Sequence, residues 1–127
     1  MVKKLLHTRM RVTDLEKTVR FYKDILGLAE VGRHKSPRGS ELVFLKAPDS
    51  EEQLEICYYP SSGPSQCPPD LMHVAFEVED MDKFGAHLKT KGIVFSDGPT
   101  RSSSGSAFAF IDAPEGYEVE LIERAKK

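Results

Sequence analysis

The chain has 127 residues, of which 39% belong to the hydrophobic set and 30% are charged, with a formal net charge of −2. That length holds one domain with a sizeable core, and the apolar fraction argues against disorder. The charge balance speaks against a basic surface for nucleic acid, and no apolar run approaches the ~20 residues of a membrane span.

In chain order, the first residues are basic but lack an apolar stretch, so they do not read as a secretory signal. Residues 4–12 read as a strand, with Leu6, Met10 and Val12 on one face and His7, Arg9 and Arg11 on the other. Asp14 is placed to cap a helix. Leu15, Val19, Tyr22, Ile25 and Leu26 are spaced along its apolar stripe, and Gly27 is placed to stop it. Residues 28–34, 41–47 and 53–59 read as three strands. Prolines crowd the stretch that follows, and residues 61–70 are the expected linker.

The order then repeats. Residues 71–79 read as a strand, Asp80 as a helix cap, and Met81, Phe84 and Leu88 as a helix face running to Gly92. Strands are expected at 93–95, 107–112 and 117–123, with a flexible loop at 101–106, a turn at 113–116 and a frayed tail at 124–127. Each half is βαβββ, which predicts an α+β fold: one domain, 1–127, of two modules at about 1–60 and 71–127. Cys57 and Cys67 form neither a CxxC nor a disulfide framework, the usage expected of a reducing, cytoplasmic protein.

The repeat is visible in the letters themselves. His7, Val12, Asp14 and Lys17 recur as His73, Val78, Asp80 and Lys83 at a constant offset of 66. Glu55 and Glu120 recur as well, and the His-to-Glu separation is 48 in one half and 47 in the other. Strand alternation sends His7, Glu55, His73 and Glu120 away from the helix-facing layer. A single His or Glu on a strand is ordinarily a solvated side chain, but the repeat ties these four together. Two imidazoles and two carboxylates suit Ni, Co, Zn or Mn in an octahedral site with two open positions, whereas zinc favours fewer ligands. Open positions are what a catalytic ion needs.

These residues also carry a resemblance. The runs HTRMRVTDL at 7–15, FYKDILG at 21–27, LEI at 54–56, HVAFEV at 73–78 and GYEVELIE at 116–123 are similar to the vicinal oxygen chelate superfamily, and within it to bacterial glyoxalase I. The resemblance spans nearly the whole chain. It implies the paired βαβββ glyoxalase-like fold, a homodimer, and one divalent metal per site held at His7, Glu55, His73 and Glu120. It also implies isomerisation of the hemithioacetal formed by a 2-oxoaldehyde and a thiol, with Glu120 as the base and Glu55 able to act from the opposite side. In such dimers the first module of one chain commonly faces the second module of the other, and the sequence leaves open which way the site closes.

Arg11 matches the family arginine that binds the glutathione carboxylate. Arg9 adds positive charge on the same face. An ordinary surface salt bridge is the alternative for both arginines, and is favoured for Arg9. Tyr59 stands where the family usually has Asn; it joins Arg11 and Arg9 as an expected substrate-contacting residue, and the change leaves the ligand open between glutathione, another thiol and another small substrate. Cys57 points the same way as Glu55, as a pocket wall or a small buried hydrophobe. His34 and His87 read as surface residues, and Glu77 and Glu118 as solvated or supporting ones. Two other readings remain at this point: an epimerase acting beside a thioester carbonyl, as in methylmalonyl-CoA epimerase, and a non-catalytic metal or small-molecule binder on the same scaffold.

Overall fold

The computed structural model describes residues 1–126, and Lys127 of the tail expected to fray lies outside them. Two compact units emerge, Met1–Gln66 and Cys67–Lys127. The first contains β1 (His7–Arg11), α1 (Leu15–Asp24), β2 (Ala29–Lys35), β3 (Glu41–Lys46) and β4 (Gln53–Tyr58). Its sheet has the order β1-β4-β3-β2, with β1 parallel to β4 and the other pairs antiparallel. The second contains β5 (His73–Glu77), α2 (Met81–Thr90), β6 (Asp97–Arg101), β7 (Ala107–Asp112) and β8 (Glu118–Glu123), ordered β5-β8-β7-β6 with the same senses. The fold is α+β, built of paired βαβββ modules.

Local chemistry explains the helices. The Asp14 side chain accepts from Lys17 N at 3.1 Å and Asp80 does the same for Lys83 N at 3.0 Å, each satisfying a donor left open by the first turn. Gly27 (φ +76°) and Gly92 (φ +71°) take the left-handed conformation that lets the chain leave each helix. Leu15, Val19 and Tyr22 are buried on one stripe of α1, with Ile25 buried just after its end, and the Tyr22 hydroxyl reaches Met10 Sδ at 3.7 Å, which fixes the helix-facing side of β1. Val43, Leu45, Leu54 and Ile56 continue that layer. In the second unit Met81 and Leu88 of α2 are buried, as are Ala109, Ile111, Val119 and Leu121 of the sheet. Each large apolar side chain so buried contributes about 1.5–3 kcal/mol relative to exposure.

Three expectations are corrected. Residues 93–95 are not a strand: Ile93 N donates to Leu88 O at 3.0 Å and so closes the end of α2. The Phe95 ring lies against Gly85, where a Cβ would come within 3.2 Å of it. The edge strand is instead Asp97–Arg101, which contains Gly98 and Pro99, joined by a cis peptide bond. Its pairing with β7 shifts register between Asp97 and Thr100, and an edge with an irregular ladder is where a strand tolerates proline. The loop expected at 101–106 is shorter by the strand residue Arg101. Finally, Leu6 does not join the core; it is 63% exposed, although its carbonyl accepts from Gln53 N. It lies before β1, which begins at His7, and so outside the regular alternation that sends Met10 inward. No helix among the described residues is long and apolar enough to cross a membrane.

Candidate active site

The odd-numbered residues of β1 leave the face that carries Met10, and so His7, Arg9 and Arg11 share the side opposite α1. Register then selects their neighbours. Arg9 lies across from Glu55 in the parallel β1–β4 ladder, and Phe44 lies across from Glu55 in the antiparallel β3–β4 ladder. The Nε2 of His7 is 3.0 Å from Oε2 of Glu55. Arg9 Nε donates to the other oxygen, Oε1. The Phe44 ring meets His7 edge-on at 5.7 Å.

Glu55 is therefore held from two sides, and its side chain is only 4% exposed. A buried carboxylate is costly unless its oxygens are satisfied, and here both are. The same contact holds the Arg9 guanidinium above its ordinary pKa, chiefly through the hydrogen bond to Glu55, with burial opposing. Arg9 thus forms a salt bridge, but with a buried partner rather than the surface one favoured from sequence.

The second module builds the same arrangement with one change. Nε2 of His73 is 3.1 Å from Oε1 of Glu120, and the Phe110 ring meets His73 edge-on at 5.4 Å. Phe110 faces Glu120 across the β7–β8 ladder as Phe44 faces Glu55. The position across the parallel ladder, filled by Arg9 in the first module, is Ala75 here. The Glu120 side chain is 19% exposed. Phe44 and Phe110 were not singled out from sequence, although they too recur at the offset of 66. Among the described residues no group of three or more His, Cys, Asp or Glu side chains is gathered as a metal cluster. The candidate donors come as two His–Glu pairs, one in each module.

A cavity of about 320 Å3 in the first module brings together Arg9, Arg11 and Tyr59, the three residues expected to contact substrate, with Cys57 in its wall. Arg11 Nη1 donates to Gly63 O at 2.9 Å, which ties the turn after β4 to β1. Cys57 is buried, on the Glu55 side of β4. His34 is exposed, as expected of a surface residue, yet its ring stacks on Phe44 at 5.7 Å. His87 contacts Phe84 at 5.9 Å on α2. Glu118 accepts from Asp70 N at 3.2 Å, and Glu77 pairs with Arg124 at 3.5 Å.

Known proteins resemble the chain throughout its length. A probable lactoylglutathione lyase of Synechocystis sp. is 31% identical over 128 residues, covering 97% of each chain. The structure of the trypanothione-dependent glyoxalase I of Leishmania major is similar with a TM-score of 0.76 and 30% identity, over 96% of this chain and 87% of that one. TnmS3, an antibiotic binding protein from Streptomyces sp. CB03234, has a TM-score of 0.78 at 20% identity over 96% of each chain, a likeness of fold alone. The Glyoxalase/Bleomycin resistance protein/Dioxygenase superfamily model matches residues 4–121, and with the duplicated βαβββ architecture this places the chain as a member of that superfamily, the vicinal oxygen chelate family of folds.

Proposed function

We propose that the protein is a glyoxalase I-type lyase. It isomerises the hemithioacetal of a 2-oxoaldehyde and a thiol to a 2-hydroxyacyl thioester, the chemistry of methylglyoxal detoxification. The observation that carries this reading is the duplicated His–Glu pair: His7 with Glu55 and His73 with Glu120, each beside a phenylalanine. The lactoylglutathione lyase names of relatives at about 30% identity support it.

The residues present fit a divalent ion. Imidazole nitrogen and carboxylate oxygen are a donor set for Ni, Co, Zn or Mn. In each module an imidazole nitrogen stands beside a carboxylate oxygen, at 3.0 Å in one pair and 3.1 Å in the other, so the two donors of a pair are presented together. His7, Glu55, His73 and Glu120 would hold the ion. Bound there, it would supply Lewis-acid stabilisation of negative charge on the substrate oxygens.

The chain's own part is proton transfer and binding. Glu120 removes the proton from the carbon that bears sulfur, and the proton returns to the neighbouring carbon, so the reaction is an isomerisation with no atom gained or lost. Two features suit Glu120 to this role: its side chain is the more accessible of the two carboxylates, and Ala75 leaves it without the guanidinium that holds Glu55. Glu55 is the candidate acid–base group for the opposite side. Arg11, with Arg9 and Tyr59, lines the cavity that would take the thiol portion. By its resemblance to dimeric relatives, the working form is a homodimer.

The test is direct. The protein, stripped with a chelator and reloaded separately with Ni, Co, Zn or Mn, is given methylglyoxal and glutathione, and thioester formation is followed by ultraviolet absorbance. Metal-dependent thioester formation is expected. No thioester with any of these metals, from glutathione or from other small thiols, would overturn the proposal.

A further inference from the structure

The cavity of the first module has a second wall. Besides β1 and the end of β4 it is lined by the β2–β3 turn, through Ser36, Arg38 and Ser40. That turn is internally braced: Ser36 N donates to Ser40 O at 2.8 Å, Ser40 N to Ser36 Oγ at 3.1 Å, and Gly39 N to Ser36 O at 3.0 Å. Gly39 adopts φ +88°, a conformation that side chains other than glycine's rarely take. The turn therefore presents Arg38 from a defined loop.

The charge of this wall is one-sided. Three guanidinium groups, those of Arg9, Arg11 and Arg38, line the cavity, with no Asp or Glu among its lining residues. Arg9 is neutralised by Glu55, outside the lining. Arg38 brings its charge from the β2–β3 turn. In a protein of net charge −2, three guanidinium groups around one cavity favour anionic ligands there. Its volume of about 320 Å3 lies at the lower end of small-ligand sites, ~300–1,000 Å3. A guanidinium recognises a carboxylate by two parallel hydrogen bonds, and the serine hydroxyls can donate to the same kind of group.

We propose that Arg38 is a specificity-determining residue. It selects a thiol that carries at least two carboxylates, by binding one on the turn side of the cavity while the β1 side binds another. Tyr59, which cannot offer an amide to the ligand, makes the turn the alternative source of polar contact. This inference deepens the proposed lyase reading and rests on it for the identity of the ligand as the thiol half of the substrate.

The test separates the two. Binding of S-methylglutathione and of its dimethyl ester to the intact protein is measured by calorimetry, for wild type and for Arg38→Ala and Arg38→Lys. In parallel, kcat and KM are measured with the methylglyoxal adducts of glutathione and of 2-mercaptoethanol. The expected result is weaker binding of S-methylglutathione to Arg38→Ala by about tenfold, the scale of one charge-assisted contact. Partial recovery is expected in Arg38→Lys, with no change for the ester. For the glutathione adduct KM rises and kcat holds; for the 2-mercaptoethanol adduct neither moves. Equal losses for charged and uncharged ligands, no loss at all, or no saturable binding of S-methylglutathione to wild type would each overturn the role of Arg38. Arg38-dependent binding without turnover would leave that role standing and sink the lyase reading. Turnover indifferent to Arg38 would do the reverse.

Discussion

Arg9 stands across the parallel β1–β4 ladder from Glu55 and donates its Nε to one oxygen of that carboxylate, while His7 lies 3.0 Å from the other. The equivalent of Arg9 in the second module is Ala75, across from Glu120. Two strand pairs of the same design thus treat their carboxylates differently. One is clamped and buried; the other has a histidine on one side and a methyl group on the other. This asymmetry is the structural basis for assigning proton transfer to Glu120.

Glu120→Gln is expected to keep the fold, because its side chain is near the surface of β8 and the amide is nearly isosteric with the carboxylate. Its kcat should fall by about 10²–10⁴-fold, the usual contribution of a positioned general base. Steady-state kinetics beside a far-ultraviolet dichroism spectrum checks both halves. Full activity in this variant would remove the base from the mechanism.

The asymmetry can be reversed by design. Ala75→Arg would place a guanidinium across from Glu120, as Arg9 stands across from Glu55. Ala75 is exposed, so the longer side chain has room. A fall in kcat of at least about tenfold is expected, with unchanged thermal unfolding. Conversely, Arg9→Ala strips one partner from a carboxylate that is only 4% exposed. A loss of about 1–2 kcal/mol is expected, discounted for the exposure of the arginine. Urea unfolding of the two variants against wild type measures the difference.

A surface network gives a pH signature away from the site. Arg33 of β2 donates to Glu16 of α1 at 2.6 Å and to Glu30 at 3.1 Å. These hydrogen bonds are the main reason that both carboxyls sit below the ordinary glutamate value of 4.5. A lowered folded pKa means stability that is present above about pH 4.5 and is lost as the pH falls through the folded value. Arg33→Ala should therefore cost less than about 1 kcal/mol at pH 7, since the groups are half exposed. Its difference from wild type should shrink to nothing in acid. A difference that grew on acidification would contradict the assignment.

Gly98 supplies a fold prediction. It sits on β6 with φ +81°, and a Cβ there would lie 2.9 Å from Phe108 O and 3.1 Å from Thr100 N. Both contacts are backbone and cannot swing away. Gly98→Ala is expected to destabilise by about 1–3 kcal/mol, visible as a lower urea midpoint.

Much of this was legible in the residues because it depends on local rules. Asp14 and Asp80 show the helix starts, Gly27 and Gly92 the exits, and the odd–even alternation of β1 the side on which His7 emerges. What failed was local reading in places where a tertiary neighbour decides. Gly98 and Pro99 look like strand breakers, yet an edge position beside β7 accommodates them. Ile93 and Phe95 have strand character, yet the end of α2 uses the backbone of one and Gly85 receives the ring of the other. Leu6 fits the core pattern and is left outside it. Phe44 and Phe110 were hidden because β3 and β7 are apolar on both faces, so nothing in ELVFLK or AFAFID marks one ring as belonging to the site. The burial of Glu55 was hidden too, since it depends on Arg9, 46 residues away in the chain.

The central claim is that His7, Glu55, His73 and Glu120 serve one divalent ion. Elemental analysis of nickel-loaded, exhaustively dialysed protein tests it most directly, with each ligand changed to alanine in turn. The account predicts one ion per chain in wild type and loss of that ion in every one of the four variants, whichever module carries the change. Two ions per chain, each lost with one His–Glu pair alone, or full retention in variants of either module, would contradict it.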